Sequence, residues 1–295
     1  MGMGMSLTSG WNLEQPTDGP VRMIERAAAA YEAGLEFLNV GDHHNMGSQY
    51  AQNVPMMGRL LAEWTDRPAG PLFLLPLWHP LLVAEHIGTL AALHPARLIV
   101  QVGVGRDPAQ FGAMGQDIST RGARTHDMIG VVQQLLAGET VDRPDLGMVE
   151  GRVGLLPSQP VEWWIGSGVP VGIARAATLG DCWYAGPGYS VESVKPAIEF
   201  YRKTVADAGE TGRVVVRKDV LCRRNGDQAR EQADELLGAG YRGLGPDQVM
   251  VGGVDDVADQ IEAWMAADVD DLAIRCMAPD QESALETIEL LGQMI

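Results

Sequence analysis

The chain has 295 residues, 46% of them hydrophobic and 21% charged, which is enough for one large folded unit and too apolar for disorder. Its 22 Lys and Arg against 39 Asp and Glu leave a formal net charge of −17, a field that repels nucleic-acid backbones and anionic lipid heads. Cys182, Cys222 and Cys276 are too few and too scattered for a disulfide framework or a zinc site, so they are read as free thiols in a reducing cytoplasm. No uncharged run approaches the ~18 residues of a membrane span, and Met1–Trp11 lacks the basic-then-apolar pattern of a secretory signal.

Short apolar runs alternate with amphipathic stretches from one end to the other. Met3–Leu7 reads as a first strand, and Val21–Ala33 as a helix whose apolar residues recur at helical spacing and which Gly34 ends. Glu36–Val40 is a short buried strand stopped by Gly41, and Pro55–Trp64 a helix. Leu72–Leu77 is a strand interrupted by Pro76; Pro80 then opens a helix through Leu93. Leu98–Val104 is a strand and Thr120–Ala137 a helix closed by Gly138. Residues 139–160, rich in Gly and Pro, read as an insertion. Val161–Ile165, Cys182–Ala185, Val214–Leu221 and Leu272–Met277 complete the strands. Val171–Leu179, Val191–Ala208, Ala229–Leu237, Val254–Ala267 and Ser283–Met294 complete the helices. Ala229–Leu237 and Val254–Ala267 are separated by a stretch that reads as a loop with five glycines, Gly240, Gly243, Gly245, Gly252 and Gly253.

Eight strands, each followed by a helix, predict a parallel sheet covered on both faces. Within 295 residues the pattern fits a single (β/α)₈ TIM barrel, residues 1–295, with the insertion at about 139–160. A doubly wound sheet would carry a glycine fingerprint after its first strand, and Met1–Gly10 has none.

In such a barrel, function sits where strands end. Asp42-His43-His44 ends the second strand. Adjacent residues on an extended chain point apart and no other strand end offers a third ligand, so no metal site is expected. A single His that donates a proton or polarises a bond, steadied by the neighbouring Asp, needs no further ligand. Trp78 and His79 end the third strand, as a pocket wall or a helix entrance. Gly103-Val104-Gly105-Arg106-Asp107-Pro108 ends the fourth; two glycines allow close approach to a ligand, and Arg106 could pair with a phosphate or with Asp107. Gly166-Ser167-Gly168 ends the fifth, small residues leading into a helix N-terminus as in a phosphate cradle.

The order of these stretches resembles the luciferase-like monooxygenase superfamily, the flavin- and deazaflavin-dependent (β/α)₈ oxidoreductases. The likeness runs through 34–44 with its Asp-His-His ending, Pro71–Pro80 with Ala84-Glu85, and 93–105. It continues through 111–115, Arg121, Trp164-Ile165-Gly166, 174–183, Val251-Gly252 and Leu272–Arg275. Two departures stand out: the usual polar lead into the fourth strand is altered near Leu93-His94-Pro95-Ala96-Arg97, and Gln110 replaces a Glu common before Phe111.

The resemblance implies a flavin ring at the barrel mouth, supported by a non-prolyl cis peptide at or beside Pro71–Leu72. It puts the cofactor phosphate on Arg106, Gly166, Ser167 and Gly168, beside Gly103 and Gly105, and the active-site His at His43. The leading reaction implied is insertion of oxygen from O₂ into a small organic substrate by reduced FMN, with a separate flavin reductase as a possible partner. The alternative is hydride transfer with a deazaflavin, and a second alternative is a non-catalytic flavin-binding barrel. A homodimer is also expected, pairing through the apolar patch Met56, Met57, Leu60 and Leu61.

Overall fold

A computed structural model describes residues 2–295. Eight parallel strands close on themselves: β1 (Gly2–Leu7), β2 (Leu38–Val40), β3 (Ala69–Leu74), β4 (Ile99–Gly103), β5 (Glu162–Gly166), β6 (Cys182–Ala185), β7 (Arg213–Cys222) and β8 (Asp271–Cys276). Strands β1 to β6 pair in sequence, β8 lies between β1 and β7, and the β6–β7 pairing seals the barrel. Outside lie α1 (Asp18–Glu32), α2 (Asn53–Leu60), α3 (Pro80–Leu93), the short α4 (Pro108–Ala113), α5 (Arg121–Leu136), α6 (Pro170–Leu179), α7 (Val191–Ala208), α8 (Gly226–Gly238), α9 (Val254–Ala266) and α10 (Gln281–Gly292). No helix among the described residues is long and apolar enough to cross a membrane.

The period-two alternation of each strand sorts its residues. Met3, Met5 and Leu7 of β1, Val100 and Val102 of β4, Val214 and Val216 of β7, and Leu272 and Ile274 of β8 join the main core between barrel and helices. The intervening positions face the barrel interior, where they form layers. Phe37, Ile99, Trp164, Cys182, Val215 and Ala273 make an apolar plug. The Phe37 ring meets Trp164 edge-on at 4.9 Å between centroids. It fits because position 4 is glycine: a Cβ there would lie 2.2 Å from the ring. Below the plug, at the N-terminal ends of the strands, Arg213 pairs with Glu162 and, at 2.7 Å, with Asp271. Arg97 reaches Glu162 at 2.9 Å, and the Gly2 N–H donates to Asp271 Oδ1 at 2.9 Å.

Several expectations change in detail. The predicted third strand ends at Leu74, and Leu75–Leu77 form a tight helical turn around Pro76. The glycine-rich stretch before α9 holds a ninth strand, Val249–Gly252, which pairs with the outer half of β7 from Asp219↔Val249 to Cys222↔Gly252. Within 139–160, Val141–Arg143 and Met148–Gly151 form a hairpin. The chain then returns onto α3, where a Cβ at Gly88 would lie 2.0 Å from the Leu155 carbonyl oxygen. Met56, Met57, Leu60 and Leu61 do not form a pairing face. All four are buried in the chain's own core, because α2 turns its apolar side onto the barrel. The cis peptide expected at or beside Pro71–Leu72 is also absent: every peptide bond among the described residues is trans. Pro71 and Leu72 instead continue the regular parallel ladders to Val40 and Gln101.

Candidate active site

The loop after β2 obeys the strand alternation beyond the strand itself, and this separates the two histidines. Asn39, Gly41 and His43 share the inward face; Asp42 and His44 turn the other way. Asp42 Oδ2 accepts from the Leu74 N–H at 2.7 Å and the Trp78 Nε1–H at 2.8 Å, and Oδ1 lies 3.3 Å from His44 Nε2. Asp42 therefore braces His44 and the end of β3; it does not steady His43, as the sequence reading expected. The His44 backbone N–H donates to Gln110 Oε1 at 2.9 Å, and its ring lies against Trp78. Gln110, the departure from the family pattern, thus ties the β2 loop to α4.

His43 is left free to face the mouth. Its ring stands 5.7 Å from that of Tyr50, and partial burial lowers its pKa against the opposing pull of Asp107 and Asp42. Tyr50 belongs to a two-stranded ribbon in which Gly10–Trp11 from the β1 loop pairs with Gln49–Tyr50 from the β2 loop. Burial, then the nearby Asp42 charge, pushes the Tyr50 phenol up to about 12. This ribbon roofs one side of the mouth.

The expected cofactor residues cluster on the opposite side, though not equally. Register pairs Val102 of β4 with Ile165 of β5, so Gly103 and Gly166 lie side by side at the rim. Both are cramped from one side: a Cβ would lie 3.1 Å from Leu74 at Gly103 and 3.0 Å from the Val102 carbonyl at Gly166. Gly105 has φ +71°, where glycine carries no steric penalty. Arg106 is exposed and forms no ion pair among the described residues, because Asp107 instead caps α4 by accepting from the Ala109 N–H at 2.9 Å. Ser167 Oγ is engaged locally, accepting from the Val169 N–H at 3.2 Å and packing on Gly172 at the start of α6. Gly168 is exposed next to it. On β3, Leu72 shares the inward face with Gly70 and Leu74, while Pro71 faces the helices with Ala69 and Phe73. Of that pair only Leu72 has a side chain on the mouth side. A rim stripped of side chains beside an unpaired arginine fits a planar cofactor bearing a phosphate.

Sequence reasoning missed the third component. Above the aromatic plug, the inward positions of β1, β7 and β8 carry Ser6, Arg217, Asp219 and Arg275. Arg217 lies 3.3 Å from Asp219 Oδ1, and Arg242 reaches Asp219 Oδ2 at 3.4 Å. Tyr241 donates to the same oxygen at 3.0 Å. Arg275 makes only long contacts, 3.4 Å to Ser6 Oγ and 3.3 Å to the Leu7 carbonyl. A charged residue at an inward position of an otherwise apolar strand was the available signal, present in both Val214–Leu221 and Leu272–Met277.

The Luciferase-like monooxygenase family matches the chain over residues 1–263. In sequence the chain is similar to an F420-dependent glucose-6-phosphate dehydrogenase of Kribbella flavida, 26% identical over 234 residues, which cover 73% of this chain and 70% of that protein. Its match to a dehydrogenase of the same name from Nakamurella multipartita is 25% identical, covering 55% of this chain and only 51% of the relative. In structure it is similar to the monooxygenase RslO1 of Streptomyces bottropensis, with a TM-score of 0.87 at 19% identity over 100% of this chain and 98% of that one. The coenzyme F420 dependent tetrahydromethanopterin reductase of Methanopyrus kandleri aligns with a TM-score of 0.78, also at 19% identity, over 100% and 98%. At such identities the structural likeness establishes the fold.

Proposed function

The chain belongs to the luciferase-like monooxygenase family, and from that premise we propose that it is a deazaflavin-dependent oxidoreductase, using coenzyme F420 to move a hydride to or from a small organic substrate. The observation that carries this reading is the sequence likeness to F420-dependent dehydrogenases. Oxygen insertion by reduced FMN, with its separate flavin reductase, ranks second, since the monooxygenase neighbours support it only through the fold.

When bound, a deazaflavin supplies or accepts the hydride. The chain's own residues do the remainder. Gly103, Gly105, Gly166 and Gly168 leave the β4–β5 rim bare, Arg106 offers an unpaired guanidinium to the phosphate, and Leu72 lines the mouth below. His43 reaches the substrate from β2. With its pKa lowered, the imidazole is neutral at pH 7 and accepts the proton of a substrate hydroxyl as the carbon is oxidised; in reduction it returns that proton. Asp42, bound to the end of β3, fixes the loop from which His43 projects. The ribbon of Trp11 and Tyr50 shields the reacting atoms from water.

The test is a fluorescence titration of the purified protein with F420 and with FMN. F420 is expected to bind at least about tenfold more tightly, a difference of about 1.4 kcal/mol. Tight FMN binding together with oxygen consumption by the reduced complex would overturn the reading in favour of a monooxygenase.

A further inference from the structure

The interior layer that carries Arg217 and Arg275 holds more donors than the chain can satisfy. Arg217 is only 12% exposed, and its Nε and Nη2 atoms are buried without a hydrogen-bond partner; its approach to Asp219 lacks hydrogen-bond geometry. Arg275 Nε is equally unpartnered in a residue 8% exposed. Gln101 Nε2 and Trp164 Nε1, at inward positions of β4 and β5, are buried and unpaired as well. Arg217 and the partly exposed Arg242 both lean on one carboxylate, Asp219, and Arg275 stands opposite it in the β7–β8 ladder, so the group keeps an uncompensated positive charge in a protein of net charge −17. Burial, then the charge of Arg275, pushes the Arg217 guanidinium down to about 10, so it stays protonated at neutral pH. Arg242 is held on Asp219 with φ +51°, in the left-handed region that non-glycine residues seldom occupy. Gly41 lies beside this group: a Cβ there would make ordinary contact with Arg275 Nη2 at 3.7 Å and the Tyr50 hydroxyl at 3.4 Å.

Unpaired buried guanidinium forks are the side chains that recognise oxyanions in bidentate fashion. Strands β8 and β1 lie across the barrel from the β4–β5 rim, so Arg275 stands away from the proposed cofactor-phosphate loop, whereas Arg242 comes near enough to Arg106 for the two charges to oppose one another. We propose that Arg217 and Arg275, assisted by Arg242, bind the carboxylate or phosphate group of an anionic substrate and hold its reacting carbon beneath His43. This names the substrate class for the site of the deazaflavin reading and rests on that reading for the chemistry.

The experiment follows thermal unfolding of the full chain against inorganic phosphate, for wild type, Arg217→Gln, Arg275→Gln and Arg106→Ala, with F420 titrations on the same preparations. Phosphate is expected to raise the wild-type Tm, and the protecting concentration to rise by about tenfold or more in Arg217→Gln and Arg275→Gln. Protection should persist in Arg106→Ala, while F420 affinity in the two barrel variants stays within about twofold of wild type. If Arg217→Gln does not fold, Arg217→Lys keeps the charge without the planar fork, and Arg275→Gln gives an independent reading. Phosphate protection that survives both barrel variants, or that disappears with Arg106→Ala, overturns the proposal. A fall in F420 affinity in the barrel variants as large as the loss of phosphate protection also overturns it, by assigning the donors to the cofactor. A wild type that responds to phosphate through these arginines but does not bind F420 would refute the deazaflavin reading and leave the anion site standing.

Discussion

The two ends of this barrel both gather arginines at the ends of parallel strands, and they treat them oppositely. At the N-terminal end Arg213 meets Glu162 and Asp271, and Arg97 adds to Glu162, so that each carboxylate has a cation. At the C-terminal end Arg217 and Arg242 share Asp219, and Arg275, its register partner on β8, has no carboxylate of its own. Removing one partner of a matched pair leaves a stranded charge, which marks the base as a stabilising device. An unmatched set is unfavourable by itself and makes sense only where something arrives to match it. Active sites of such barrels lie at that same C-terminal face.

That contrast makes the mouth tolerant in stability and sensitive in function, with the base the reverse. The largest effect is expected at His43. His43→Ala should lose about 10²–10⁴-fold in turnover, with Tm and F420 affinity close to wild type; full turnover would reduce His43 to a loop anchor. Next comes Arg106→Ala, in which loss of a charge-assisted bond worth about 1.5–3 kcal/mol should weaken F420 binding roughly 10- to 100-fold. Unchanged affinity in a direct titration would move the phosphate elsewhere on the rim. At the base, Arg213→Ala should cost about 2 kcal/mol, below the ~3–5 of a fully buried pair because Arg213 is 41% exposed. In a chain of this size that lowers Tm by about 3 °C, while turnover per folded molecule stays as it was. A large loss of turnover there would break the division between the ends.

The smallest effect concerns pH. His94 is buried, with Nε2 at 2.8 Å from the Arg67 carbonyl, Nδ1 unpaired and its pKa lowered by burial. The unfolded chain therefore takes up its proton first as pH falls below the ordinary histidine value, so acidification destabilises the fold through this residue. His94→Gln, which cannot gain a proton, should shrink the Tm loss between pH 7 and pH 5. An unchanged difference would assign the acid sensitivity to other groups.

The eight barrel strands were legible because each is an apolar run bounded by a turn signal, and local pattern suffices for that. The ninth, Val249–Gly252, was not: it lies among glycines and exists because β7 is long enough to offer its outer half as a partner. The mispredicted patch on α2 has a related cause, since Met56, Met57, Leu60 and Leu61 look surplus along one helix but are all taken up once α2 lies on the barrel. His43 and His44 look equivalent in a row; only the alternation carried past Val40 separates them, and only tertiary contacts give Asp42 to His44. The arginine group was the least readable. Arg217, Arg242 and Arg275 lie on two strands and a loop; a barrel makes β7 and β8 neighbours, but nothing local announces the register that sets Arg275 opposite Asp219 or the turn that brings Arg242 onto it.

The plug of Phe37 and Trp164 has a consequence for how charge is felt outside the molecule. It is a slab of low polarisability between the paired ions of the base and the unpaired ones of the mouth. Field lines from Arg217 and Arg275 spread poorly into such a medium and are driven instead toward the solvent above. The protein's −17 acts over its whole outer surface and fades across a Debye length of about 8 Å at physiological salt. An approaching anion is thus repelled at a distance and drawn in over the last few ångströms. Added salt weakens the first force more than the second, because the second acts within a partly dehydrated cleft. For an anionic ligand of such a barrel, moderate ionic strength would aid entry where it ordinarily slows it.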